Sequence, residues 1–155
     1  MQEYLSRKIN TNACNGYGIV INVTLLSTFR GLNIMKMSEI EAILKARRLF
    51  DTASIEKEVE YAFASDLMSD VLAFALAGAL LITGLTNIQI IRTATMLDMT
   101  GIVFVRNKRP LEEAVTLAKK LDIPVLLCQM SMFETCGILY KAGLKPCPIV
   151  HEESN

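Results

Sequence analysis

Tryptophan is absent from this chain, and histidine occurs once, at His151, four residues from the C-terminus. That scarcity argues against a metal site built on several imidazoles and against a Ser-His-Asp triad in a folded core. Charge of one sign is also lacking: 16 Lys and Arg stand against 16 Asp and Glu, a formal net charge of zero. A protein that grips nucleic acid or an anionic membrane over a broad surface needs a basic excess, so neither is an expected partner. Neither glycine-rich phosphate loop, G-x-x-x-x-G-K-[ST] or G-x-G-x-x-G, occurs in the sequence.

Long hydrophobic runs are missing too. Residues 71–86 carry no charge, but Gly78, Thr83 and Gly84 interrupt them, and a membrane span needs about 20 apolar residues. Helix, turn and buried strand is the expected reading, with no membrane association. Cys14, Cys128, Cys136 and Cys147 form no C-x-x-C pair. Their apolar neighbours predict buried thiols in a reducing cytoplasm. Arg7 and Lys8 are followed by polar residues 9–17 rather than by the apolar stretch of a secretory signal.

What is present is one domain's worth of chain, 155 residues of which 52% are apolar, enough for a sizeable core. Residues 1–34 are rich in Asn, Ser and Thr, hold one acid, Glu3, and show no amphipathic helical period. They are expected to be upstream sequence ahead of a biological start at Met35 or Met37; a disordered arm is the alternative, and residues 20–29 could form one strand. Residues 35–145 are regular, and residues 146–155 read as a flexible tail.

Within the regular part, Ser38 and Glu41 have the spacing of a capping box at the start of a short helix. A short strand is predicted over 48–50, and another over 59–64. Asp66 is placed to cap a helix carrying Leu67, Val71, Phe74 and Ala75 and closed by Gly78. Residues 79–82 form an unbroken apolar run, the mark of a strand buried on both faces. Asn87 is placed to cap the next helix, and residues 102–105 give another buried strand. Leu111, Ala114, Val115, Ala118 and Leu121 make one helical stripe, with Glu112 and Glu113 at its start and Lys119 and Lys120 at its end, as the helix dipole prefers. A strand over 125–128 precedes a second capping box, Ser131 with Glu134, and a helix running to Gly143. Strands alternating with helices through short loops predict right-handed crossovers and an α/β fold, a mainly parallel sheet covered on both faces in three layers, α/β/α.

Ligands of such sheets bind beyond the carboxyl ends of the strands. The polar residues at those ends are Asp66; Thr83, Gly84, Thr86 and Asn87; Arg106 and Lys108; and Ser131. These eight form the candidate ligand site, for which a small anion fits: helix N-termini offer free N–H groups, Gly84 allows a positive φ or close approach, and Arg106 or Lys108 supplies charge. Helix capping alone is the competing reading for Asp66, Asn87 and Ser131. Asp66 and Asp70 have i, i+4 spacing suited to a cation, but no third acid is near and no metal is expected. No nucleophile has a base beside it, so no catalytic residue is assigned.

Three runs together, 59–73, 81–87 and 131–137, resemble the DRTGG domain in order and spacing, and the likeness covers about residues 35–143. The family is named for an Asp-Arg pair and a Thr-Gly-Gly run. Asp66 matches the Asp, with Leu67 in place of Arg; Thr83 and Gly84 match, with Leu85 in place of the last Gly. The variant is similar to stand-alone members of anaerobic bacteria, often encoded near hydrogenase-like proteins and histidine-kinase-like ATPases. The resemblance extends to the module accompanying CBS domains in some pyrophosphatases and to the N-terminal domain of HPr kinase/phosphorylase, whose chemistry lies in a separate domain. It implies a non-catalytic regulatory or ligand-sensing module, a homodimer without a cofactor, binding a small anionic metabolite or nucleotide and acting through a protein partner. The alternative is a pure interaction subunit of a hydrogenase-like or signalling ATPase system. The dimer contact is expected on the helix of residues 66–77 with the loop of residues 83–87.

Overall fold

The computed structural model describes residues 34–149. The expectations for residues 1–33 and 150–155, which include the upstream or disordered-arm reading, Cys14 and His151, lie outside the described residues. The element order is β1 (Met35–Lys36), α1 (Met37–Leu44), β2 (Arg47–Arg48), a 3-10 turn (Ala53–Glu56), β3 (Glu58–Val59), β4 (Tyr61–Ala64), α2 (Met68–Phe74), β5 (Leu80–Thr83), α3 (Gln89–Met96), β6 (Gly101–Phe104), α4 (Glu112–Lys120), β7 (Val125–Leu127), α5 (Met132–Ala142) and β8 (Lys145–Pro146).

The main sheet has six strands in the order β2-β7-β6-β5-β4-β8. β2 is antiparallel to β7, and all other neighbours are parallel. β1 and β3 form a separate antiparallel pair. From β4 to β7 the chain steps across the sheet in one direction, so right-handed crossovers put α2, α3 and α4 on one face. The return from β7 to β8 runs backwards and puts α5 on the other face, with α1. The two-residue alternation of the strands sorts the core accordingly. Leu81, Ile102, Phe104, Val125 and Leu127 pack with Val71, Ile90, Ala94, Ala114 and Ala118 of the three crossover helices. Leu80, Ile82, Val103, Val105 and Leu126 pack with Ile40, Leu44 and Leu139. The expected three-layer α/β/α architecture is what forms.

Several local expectations are corrected. The single strand over 59–64 is two: Val59 pairs with Met35 in the small sheet, and Tyr61 begins β4 in the large one. The first box sits two residues early, because Glu39, not Glu41, accepts from the backbone N–H of Lys36 at 2.8 Å. Glu41 instead pairs with Arg48. The helix after Asp66 ends at Phe74, short of Gly78, whose φ of 77° turns the chain into β5. The α4 stripe is buried only at its middle, Ala114 and Ala118, while Leu111 and Leu121 face solvent at its ends. The tail expected from Pro146 starts as an edge strand: Pro146 pairs with Ala62, and the Cys147 N–H donates to the Ala62 carbonyl at 3.0 Å. The helix-turn-strand reading of residues 71–86 holds, and among the described residues no helix is long and apolar enough to cross a membrane.

Candidate functional site

Loops leaving neighbouring parallel strands toward opposite faces open a crevice at their carboxyl ends. Here the β6 loop goes to α4 on one face and the β7 loop to α5 on the other. Backbone hydrogen bonds bridge the two loops, from Arg106 N–H to the Met130 carbonyl and from Asn107 N–H to the Cys128 carbonyl, both 2.8 Å. They hold Arg106 and Asn107 at φ values of 60° and 51°. Two successive non-glycine residues in the left-handed region are costly and persist only where the surroundings fix them. That turn aims the Arg106 side chain back across the end of β5.

There it meets Asp66. The Arg106 Nη2 lies 3.0 Å from Asp66 Oδ2. Asp66 Oδ1 accepts from the Thr83 hydroxyl at 3.0 Å and from the Gly84 N–H at 2.6 Å. One carboxylate thus joins the carboxyl ends of β4, β5 and β6. Burial pushes the Asp66 carboxyl up, but the bonds from Gly84, Arg106 and Thr83 outweigh it and hold the group below the usual carboxylate range. The cluster remains open to water, with the Arg106 and Asp66 side chains 41% and 40% exposed, whereas Thr83 beneath them is fully buried. The Thr83 hydroxyl also accepts from Leu85 N–H at 3.2 Å, which shapes the turn out of β5.

At Gly84 it is closeness to the Arg106 side chain, and not backbone angle, that the missing Cβ permits. Its φ is not positive, but a Cβ there would lie 2.6 Å from Arg106 Cζ, so the guanidinium rests on the bare glycine backbone. The positive-φ alternative is therefore set aside. Asp66 does not cap α2 either. The Ser65 hydroxyl takes the Leu67 N–H at 2.9 Å, and Asp66, ahead of the helix, turns toward β5. With Asp66 outside the helix, the proposed i, i+4 carboxylate pair with Asp70 does not form on one helix face. Among the described residues, no group of three His, Cys, Asp or Glu side chains is placed to hold a metal.

Of the eight candidates, Asp66, Thr83, Gly84 and Arg106 are brought into one contact network. The other four share the same edge of the sheet without joining it. Asn87 caps, accepting from Gln89 N–H at 3.1 Å. Ser131 and Glu134 form the expected capping box. Thr86 accepts at its carbonyl from Leu111 N–H at 3.0 Å, and Lys108 N–H closes a turn onto the Val105 carbonyl. Leu67, standing where the DRTGG pattern has its arginine, is exposed and apolar. The guanidinium that meets Asp66 comes instead from the end of β6.

A feature that sequence reading did not single out is a groove of about 240 Å³ beside α5, lined by Phe63, Cys136, Tyr140, Cys147 and Ile149 among others. It lies on the β8 side of the sheet, separate from the Asp66 network. Its only signal in the sequence is the apolar spacing of α5. Burial raises the pKa of the Cys136 and Cys147 thiols, keeping them protonated at neutral pH. Cys128 is buried as well.

The fold is similar to the crystal structure of the CBS and DRTGG domains of the regulatory region of Clostridium perfringens pyrophosphatase, complexed with its activator diadenosine tetraphosphate. The TM-score is 0.57 at 16% identity, over 79% of this chain and 57% of that one. This likeness establishes a DRTGG-like fold. No family model matches the sequence, and no curated protein matches it.

Proposed function

We propose that the chain is a non-catalytic regulatory module that senses a small anionic metabolite or nucleotide at the Asp66, Thr83, Gly84 and Arg106 network, and that it acts through a protein partner. The observation that carries this reading is the position of Arg106, a half-exposed guanidinium laid on a glycine at the meeting point of three strand ends. Arg106 supplies charge for a phosphate or carboxylate. Asp66 supplies an acceptor for a sugar hydroxyl and is neutralised toward the anion by its three donors. A ligand that draws Arg106 off Asp66 alters the contacts between the loops after β4, β5 and β6, which is a route from binding to a changed surface. The activator carried by the pyrophosphatase regulatory region makes adenine nucleotides the first ligands to try. No bound cofactor is part of the reading. Self-association as a homodimer is, as is kinship to the stand-alone modules and the N-terminal domain of HPr kinase/phosphorylase.

A thermal-shift series with diadenosine tetraphosphate, ATP, ADP, AMP and inorganic phosphate tests it. Binding to the folded state raises the midpoint in proportion to the logarithm of ligand concentration well above Kd. The expected result is a shift with at least one of these in the parent chain and none in Gly84→Val, whose side chain evicts Arg106. No shift with any, or an equal shift in the variant, overturns the reading. A pure interaction subunit of a hydrogenase-like or signalling ATPase system is the second reading, favoured by the exposed apolar side chains of Leu72, Phe74 and Leu76 at and beyond α2.

A further inference from the structure

We infer that the outer side of α5 is a self-association surface on which a second copy of this chain packs its own α5 in antiparallel fashion. The inference gives a location to the homodimer named above and is independent of the ligand site. Phe133 and Tyr140 are the most exposed aromatic side chains of α5, at 88% and 69%. With Cys136 and Gly137 they occupy i, i+3, i+4 and i+7, one stripe along the helix. Gly137 lies in mid-helix, where glycine is destabilising relative to alanine, and a Cβ there would meet nothing within 4 Å inside the chain. The fold itself does not require that glycine, whereas close approach of another helix does.

The stripe is its own complement. It is symmetric about the midpoint between Cys136 and Gly137, so a two-fold axis there sets Phe133 across from the partner's Tyr140 and Cys136 across from the partner's Gly137. Such reciprocity is what an isologous interface demands. Tyr140 and Cys136 also line the apolar groove of about 240 Å³, which places the partner's Phe133 at the mouth of a cavity suited to a ring. Charge agrees with the antiparallel sense: Glu134 lies in the first turn of α5 and Lys141 in the last, so opposite charges meet at both ends of the pair. At roughly 200 Å² per aromatic side chain, the two rings leave about 300 Å² in water. That is a substantial central share of the roughly 800 Å² per partner of a standard interface.

The α2 side, expected from sequence, is less suited. The helix ends at Phe74 and Ala75 is extended, so Leu76 lies outside it and Leu72, Phe74 and Leu76 make no single helical stripe. The edge of β8 is closed to strand pairing, because Pro146 and Pro148 carry no N–H.

Light scattering on the full chain at about 100 µM, a concentration above the micromolar Kd of weak complexes, is expected to give a dimer mass. Phe133→Asp is expected to give a monomer with an unchanged circular dichroism spectrum, because Phe133 touches little of its own fold. A second measurement mixes Phe133→Cys with Tyr140→Cys under mild oxidation. A disulfide-linked dimer is expected in the mixture well above that in either variant alone. A monomeric parent chain overturns the inference, including the case in which another segment of the chain covers α5. A Phe133→Asp variant as dimeric as the parent, or no excess cross-linking in the mixture, overturns it equally.

Discussion

At the scale of single residues the network turns on Asp66. It stands just ahead of a helix, where an Asp usually caps. The N-cap residue of α2 is Leu67, which makes no side-chain cap bond; Ser65 shapes the turn before it by accepting from Leu67 N–H, and Asp66 turns away to accept from Thr83, Gly84 and Arg106. The sign of its titration follows. A carboxyl held below its ordinary value in the folded state stabilises the fold above that ordinary value, near 4, and the contribution disappears as pH falls through the lowered folded-state value. Urea midpoints of the parent and Asp66→Asn are therefore expected to differ most at neutral pH and to converge as acidification passes through the lowered folded-state value. Glu56, Asp122 and Glu134 are lowered as well, by Lys36, by Ser54 and by Ser131 first among their partners, so the parent chain itself loses stability in acid.

Thr83 gives a second test at this scale. It is fully buried, and its hydroxyl donates to Asp66 while accepting from Leu85 N–H. Thr83→Val removes both bonds without changing the volume much. A loss of about 1–2 kcal/mol in chemical denaturation is expected from the unmet partners, together with weaker nucleotide binding. An unchanged midpoint would show that water replaces the hydroxyl at no cost.

At the scale of elements, what the sequence made legible were the parts governed by period and by punctuation. The apolar runs of β5, β6 and β7 declared themselves because both faces are covered. Ser131, Glu134 and Gly143 marked α5 because caps and left-handed ends are local chemistry. Glu58–Val59 could not be separated from β4 by pattern, since the pairing of Val59 with Met35 is a long-range event. The turn at Arg106 and Asn107 was equally hidden, because its left-handed angles are imposed by Met130 and Cys128 from another loop. Gly101 shows how tightly these elements meet: a Cβ there would come within 2.8 Å of Met37 Sδ and 3.2 Å of the Pro124 carbonyl oxygen. Gly101→Ala is expected to cost about 1–3 kcal/mol by overpacking, read from urea melts, with α1 pushed off the end of β6. A cost near zero would mean that Met37 swings clear.

At the scale of the whole molecule, alternation of strand and helix announced a covered parallel sheet but not the order of its strands. That order sets the geometry of the candidate site. Stepping from β4 to β7 and then jumping back to β8 creates the crevice between β6 and β7, sets Arg106 at its rim, and brings α5 over the other face of the sheet beside α1. Local sequence carries no record of that jump, because β8 is two residues long and held by pairing with β4. The central claim is that a ligand is sensed at Arg106. The most direct measurement follows the Nε–H signals of arginine side chains in the labelled full chain during titration with diadenosine tetraphosphate and with ATP. Arg48, whose Nε donates to Glu41 at 2.9 Å, is the internal control. A saturable shift at Arg106 with Arg48 unmoved is the expected result. An Arg106 signal that stays in place while ligand binds, or that moves no more than Arg48, would contradict it.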